Sequence, residues 1–402
     1  MAQNYNAPDL AKIKKKIKSL KIPKAYWGID LDSFFEYQWN IYLSIRETAG
    51  KTTQSLIFGM VLNSLYPDKY CIEYLRNDDK QITRGNIENI FDVIIRYDYI
   101  DLIYGGRWNS VTYKPHVRKF YLCKKDPDGN ILEEDQDAIC IVHSLESAYN
   151  FKSSYVNSRG NYIVLDEVAD TNRATYLLFG QLLNCISTIG RPLSPGRTEW
   201  LHILILGNNT NEFMWIFDDF QISEQVPALT YGGSITFRTE YNTTGICRLL
   251  ELGEEQKKRL QDRNIPFLGF PGKKAASFTG ATEWSGKTYR HADFELNYDD
   301  CIFRRCYISH RGRYIQLEYF RDEDHGPYCF AHFASEPKYN DNLILTIEPE
   351  KPFHIYGFGK YCKNDRILRV LKKYISALQE NRFYYASNRV GSLVDDFIKN
   401  IL

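Results

Sequence analysis

None of the nine cysteines forms a C-x-x-C pair. That absence argues against a zinc site and against a disulfide framework, and is met most simply by reduced thiols. No apolar run reaches the length that crosses a bilayer, and the N-terminus does not have the pattern of a secretion signal, so no membrane role is expected. Neither sign of charge dominates. Lys+Arg 51 against Asp+Glu 50 leaves a net charge of +1, which excludes a uniformly basic nucleic-acid coat but leaves room for local basic patches. There is no internal repeat. What remains is an aromatic-rich chain of 402 residues, too long for one simple core, so two or three domains are expected.

The organisation expected along the chain begins with a basic amphipathic helix, its lysines running from Lys12 to Lys24. Such a stretch serves as a solvated face or as a nucleic-acid or docking arm. A break at Pro23 and an aromatic segment follow. Residues 41–46, 70–75, 138–143 and 201–206 read as buried strands, and residues 51–65, 87–97 and 174–187 as helices. Residues 117–123 and 131–134 flank Asp126-Pro127-Asp128-Gly129-Asn130, a hairpin turn signal. Apolar strands alternating with helices predict an α/β fold with a mostly parallel sheet covered on both faces. From about residue 243 the character changes. A charged helix at 254–262 and a Gly-, Pro- and Ser-rich stretch at 266–288 precede antiparallel strands and two amphipathic helices, a small α+β domain. The expected boundaries are 1–242 for the first domain (with the basic helix in 1–25), 243–295 for a helical linker and 296–402 for the last domain.

Chemistry is concentrated in two segments. The apolar run Ile41-Tyr42-Leu43 is followed by Gly50-Lys51-Thr52-Thr53, then by a helix. A strand turning into a helix through such a loop offers backbone N–H groups to phosphates, a Lys ammonium to the β and γ oxygens, and a Thr hydroxyl to Mg²⁺. The full motif has a further glycine five residues earlier, where this chain has Ile45. The second segment, Tyr162-Ile163-Val164-Leu165, ends in Asp166-Glu167. Asp166 suits the metal, and Glu167 suits the orientation and deprotonation of an attacking water. Asn208, beyond the strand at 201–206, is placed to touch the γ-phosphate. Arg191 and Arg197 lie in a Pro- and Gly-bearing loop from which a guanidinium can reach a neighbouring subunit's γ-phosphate. Tyr37, Gln38 and Trp39 are upstream candidates for the adenine pocket. The cofactors expected are ATP and Mg²⁺.

The order of these segments resembles the DNA-packaging ATPases of phi29-like small tailed phages. The resemblance is carried by Lys152-Ser153-Ser154-Tyr155, Tyr162 through Val168, Leu182-Leu183-Asn184 with Thr188-Ile189-Gly190-Arg191, Leu204 through Asn208, and Tyr384-Tyr385 ahead of a final amphipathic helix. It covers most of the chain and is weakest in residues 1–30 and 245–295. The resemblance implies an additional-strand P-loop ATPase fold (ASCE, FtsK/HerA-like) with an RNase H-like C-terminal domain. It also implies a homo-oligomeric ring, often of five subunits, that drives double-stranded DNA through the phage portal into a procapsid in the host cytoplasm, with a packaging RNA as a further partner in some relatives. By the same resemblance Lys51, Thr52, Asp166 and Glu167 form the cis site, and Arg191 is the trans finger with Arg197 as alternative. Lys152 is a second basic residue at the subunit interface, Arg76 lies beside the phosphates, and Lys80 and Arg173 face the pore and grip DNA phosphates. The nuclease of this fold needs an acid on its first strand. Here residues 301–309 carry Arg304 and Arg305 and no acid, which implies a vestigial nuclease domain whose Arg304, Arg305, His310, Arg311 and Arg313 make a basic strip. Competing readings are another DNA-translocating or helicase-type ATPase, or a catalytically inactive assembly protein.

Overall fold

In the structure, a computed structural model, the described residues are 8–22, 28–44, 50–147, 157–168, 178–190, 201–208, 214–223, 225–226, 229–230, 232–239, 242–250, 290–292, 294–323, 326–337, 343–346, 355–356 and 365–401. The chain divides into two compact units, Met1–Ser285 and Gly286–Leu402.

The first unit is built on nine strands: β1 (Trp39–Ser44), β2 (Ile72–Arg76), β3 (Ser110–Lys114), β4 (Lys119–Lys125), β5 (Ile131–Ser144), β6 (Tyr162–Leu165), β7 (His202–Asn208), β8 (Ser234–Arg238) and β9 (Thr244–Leu249). They lie in the order β3-β4-β5-β2-β6-β7-β1-β9-β8. The middle of the sheet is parallel from β5 to β9, and its two ends are antiparallel. β1, β2 and β6 are buried along their whole length, as strands covered on both faces must be; β6 is wholly apolar, whereas Asn40, Ser44, Glu73 and Arg76 of the other two are polar groups buried with them. On one face Tyr42, Ile72, Tyr74, Val164 and Leu204 share a core with Leu56 and Met60 of the helix Lys51–Leu65. On the other, Ile41, Leu43, Ile163, Leu165 and Ile205 pack with Leu182 and Cys185 of the helix Leu178–Ile189.

The helix Lys51–Leu65 lies close to the sheet because of Gly59. A Cβ there would stand 2.5 Å from Ile72 Cγ1 and 2.9 Å from Tyr162 Cε1, distances that no packed core accepts without shifting backbone. The outer side of this helix is covered in turn by the helix Leu10–Ser19 through Ile13 and Ile17. It is therefore buried nearly all round, from Gln54 to Asn63. It stops at Tyr66, the residue before Pro67, where the proline ring excludes the helical conformation.

Two expected elements differ. The helix expected over 87–97 is two short ones, Arg84–Ile87 and Asp92–Arg96. Between them the backbone tightens into turns, with Ile90 N–H donating to Ile87 O and Asp92 N–H to Asn89 O. The strands expected at 131–134 and 138–143 are one strand, β5, whose first half is exposed and whose second half is buried. The exposed half pairs with β4 alone, so the acidic run Glu133 to Asp137 sits there without burial cost. The buried half also pairs with β2.

The C-terminal unit carries β10 (Cys301–His310), β11 (Arg313–Asp322), β12 (Gly326–Ala334), β13 (Leu343–Thr346), β14 (Ile355–Tyr356) and β15 (Phe383–Tyr385) in the order β14-β13-β10-β11-β12-β15, with helices Asp365–Gln379 and Asn388–Ile401. β11 is antiparallel to both β10 and β12, and β13 runs parallel to β10. The helix and linker expected at 254–262 and 266–288 lie outside the described residues.

Candidate nucleotide and metal site

Four neighbouring strands, β2, β6, β7 and β1, end at the same edge of the sheet, where side chains at parallel strand ends converge on a crevice. β7 is inserted between β1, which leads to Lys51, and β6, which leads to Asp166. That insertion brings Asn208 between the two. Lys51 Nζ donates to Asn208 Oδ1 at 3.0 Å and to Ser44 Oγ at 2.7 Å. Burial pushes its ammonium down to about 8, against the pull of Asp166 and Glu167. Gly50, just before the helix, has φ 57°, the left-handed region that glycine enters without penalty. Among the described residues, a Cβ at Gly50 would meet nothing within 4 Å.

Asp166, 2% exposed, gathers donors. Thr52 Oγ1 donates to its Oδ2 at 2.7 Å, Tyr74 hydroxyl donates to the same oxygen at 2.6 Å, and Glu167 N–H donates to Oδ1 at 2.9 Å. Burial, with the Asp166 charge beside it, pushes the Tyr74 hydroxyl well up, so it stays a donor. Glu167 has φ 59°. A non-glycine residue there carries strain on the order of 1–2 kcal/mol, and Asn77 supports it by donating from Nδ2 to Glu167 O at 3.1 Å. Arg76 closes the arrangement. Its Nη2 lies 3.4 Å from Asp166 Oδ2, its Nη1 pairs with Glu167 Oε2, and its guanidinium sits 5.4 Å from the Tyr74 ring centroid. One buried arginine thus ties both carboxylates to the end of β2.

Lys51, Thr52, Asp166, Glu167, Arg76 and Asn208 are therefore brought together, and Gly50 and the half-buried Thr53 flank them at the helix start. Ser44, Tyr74 and Asn77 were not legible as site residues. For Ser44 and Asn77 the available signal was a polar side chain at or just beyond the end of a strand, whereas Tyr74 lies mid-strand and gave none. Lys80 is exposed on the 3-10 turn Asp79–Ile82, four residues past Arg76. Lys152, Arg173, Arg191 and Arg197 lie outside the described residues. Trp39 is not near the phosphate end. It begins β1, donates from Nε1 to Thr243 Oγ1 at 2.9 Å and packs on Phe220, five residues or about 16 Å along the strand from Ser44.

The basic strip of the C-terminal unit is divided. Arg304 and Arg305 are both exposed, because the register steps from Phe303↔Tyr319 to Cys306↔Leu317, a bulge that inserts an extra residue in β10. His310 and Arg311, by contrast, turn inward. His310 Nε2 is 2.8 Å from Asp396 Oδ2, and Arg311 Nε donates to the same oxygen at 2.7 Å. They anchor the final helix and do not join the exposed arginines.

The fold so defined is a mixed α/β one on a large, mostly parallel sheet, and it is similar to that of a phage DNA-packaging motor. In particular, the chain is similar over 94% of its length to the Phi-28 gp11 DNA packaging motor, covering 98% of that chain with a TM-score of 0.50 and 15% identity. It also matches the N-terminal domain of the DNA packaging ATPase from bacteriophage phi29 (TM-score 0.40, 16% identity, 57% of this chain and 98% of that one). A further match is the large terminase from a thermophilic bacteriophage (TM-score 0.37, 10% identity, 92% of this chain and 87% of that one). At these identities the likeness is one of fold. No family model and no curated protein matches the sequence.

Proposed function

We propose that this chain is the ATP-hydrolysing subunit of a viral DNA-packaging motor, a homo-oligomeric, pentameric ring that moves double-stranded DNA through the portal into a procapsid in the host cytoplasm. The observation that carries the reading is the convergence of Lys51, Thr52, Asp166 and Glu167 at one strand edge. The donor set fits a magnesium–triphosphate: one ammonium, one hydroxyl and two carboxylates beside a left-handed glycine at the helix start. Thr52 and Asp166 would hold Mg²⁺, which when bound draws charge from the terminal phosphates. Lys51 and Asn208 bind phosphate oxygens, and the N–H groups of Thr52 and Thr53 lie in the first turn. Glu167 accepts the proton of the attacking water. In the arrangement described here Glu167 is neutralised by Arg76, so hydrolysis requires that pair to open. Arg191, or Arg197, reaches the site from the adjacent subunit with Lys152 near it. Lys80 and Arg173 grip DNA phosphates in the pore. The C-terminal unit is of RNase H type without nuclease activity: β10 carries Arg304 and Arg305 toward nucleic acid or portal and no acid among its ten residues. A packaging RNA is a further candidate partner there.

The decisive experiment compares wild type with Glu167→Gln. The variant is expected to bind ATP with unchanged affinity and to lose DNA-stimulated hydrolysis by a factor of about 100 or more. Wild type without such hydrolysis, or a variant that retains it, would sink the motor reading.

A further inference from the structure

The helix Leu10–Ser19 carries five lysines, at 12, 14, 15, 16 and 18, and no acid. Lys21 follows two residues beyond it. Its apolar side is fixed: Ile13, Ile17 and Leu20 are buried in the same core as Leu56 and Met60 of the helix that begins at Lys51. Asp9 N–H donates to the Tyr66 hydroxyl at 2.8 Å at the far end of that helix. Two of the lysines are answered locally, Lys12 by Asp9 at 3.8 Å and Lys14 by Asp32. Lys15, Lys18 and Lys21 are exposed and form no ion pair among the described residues. Lys15 and Lys18 stand three residues apart, about 4.5 Å of helix rise, and Lys21 continues the row just past the helix end.

Like charges at that spacing oppose the helix. The helix dipole compensates only those in the last turn, Lys16 and Lys18. Solubility does not explain the row either, since the whole chain carries only +1. A concentrated positive face on a rigid helix is what a polyanion complements. The chemistry of the face selects among polyanions. Its exposed residues are lysines, Ala11 and Ser19, with no aromatic ring to stack an unpaired base. Lysine offers point charges rather than the planar fork that reads base edges.

We propose that this face of the helix Leu10–Ser19 is a contact for the phosphate backbone of duplex DNA, held directly against the helix that opens at the nucleotide site. The inference rests on the packaging reading and adds to it a grip outside the pore loops.

The test uses the full-length protein with a bound, slowly hydrolysed ATP analogue and a short labelled duplex of mixed sequence. Its affinity is followed by anisotropy across a salt series. Lys15→Gln/Lys18→Gln is expected to flatten the slope of log K against log[salt] by about 1.8, two contacts at about 0.9 each, with basal ATPase and thermal midpoint unchanged. An unaltered slope overturns the inference, and so does a loss confined to a duplex RNA probe or to attachment to the procapsid. If wild type hydrolyses ATP and binds DNA while the variant keeps the full slope, only this inference fails. If wild type does neither, the packaging reading fails with it.

Discussion

Asp166 Oδ2 receives two hydroxyl hydrogen bonds and lies 3.4 Å from a guanidinium nitrogen. A carboxylate 2% exposed must be answered in this way, because an unpaired buried charge costs several kcal/mol. Tyr74 supplies part of the answer from the middle of the buried strand β2. Tyr74→Phe removes one hydrogen bond to a charged acceptor without leaving a buried donor behind. It is expected to cost about 1.5–3 kcal/mol in urea unfolding of the nucleotide-free protein, with the ring packing preserved. Unchanged stability would mean that Thr52 and Arg76 satisfy Asp166 alone.

At the scale of the element, β7 is the strand that makes the site. It separates β1 from β6 and carries Asn208 to Lys51. Its first residue, His202, is fully buried beside the rings of Phe34 and Phe35, at centroid distances of 5.7 and 4.9 Å. Burial pushes the imidazole down to about 4. The unfolded chain, with an ordinary histidine near 6.5, therefore takes up a proton first as the pH falls. The stability of the neutral state is complete above about pH 6.5 and is lost progressively toward pH 4. Between pH 7 and pH 5 this one group should remove on the order of 2 kcal/mol. Denaturant unfolding at the two pH values should show that loss in wild type and not in His202→Phe. An equal loss in both would assign the acid sensitivity elsewhere.

For the whole molecule, the proposed ring makes hydrolysis a property of pairs of subunits. Arg191→Ala and Glu167→Gln proteins should each be inactive alone. Mixed in equal amounts, they should regain activity at roughly a quarter of interfaces, those where an intact Glu167 meets a neighbour's intact Arg191. Recovery that follows Arg197→Ala instead would move the finger to Arg197. No recovery with either would show that neither arginine acts across the interface.

Local sequence determined a good deal. The buried strands could be read because strands covered on both faces admit almost only apolar residues. The helix Lys51–Leu65 could be read because it follows Gly50 and its apolar residues recur at helical spacing. Asp166-Glu167 stood out because two acids at the end of an apolar strand lie downstream of the Gly50-Lys51-Thr52 loop, a pairing that a solvated strand end does not need. Tertiary structure alone decided which strands lie side by side. β7 enters between β1 and β6, the two halves of β5 become one strand because β4 pairs along both while β2 joins only the second, and Arg76 folds over both acids. It also divided the C-terminal arginines, exposing Arg304 and Arg305 through a bulge and turning Arg311 toward Asp396. The physical reason is the same in each case. Apolar periodicity reports how deeply a residue is buried, whereas the partner of a charge or a strand edge depends on chain segments far away in sequence.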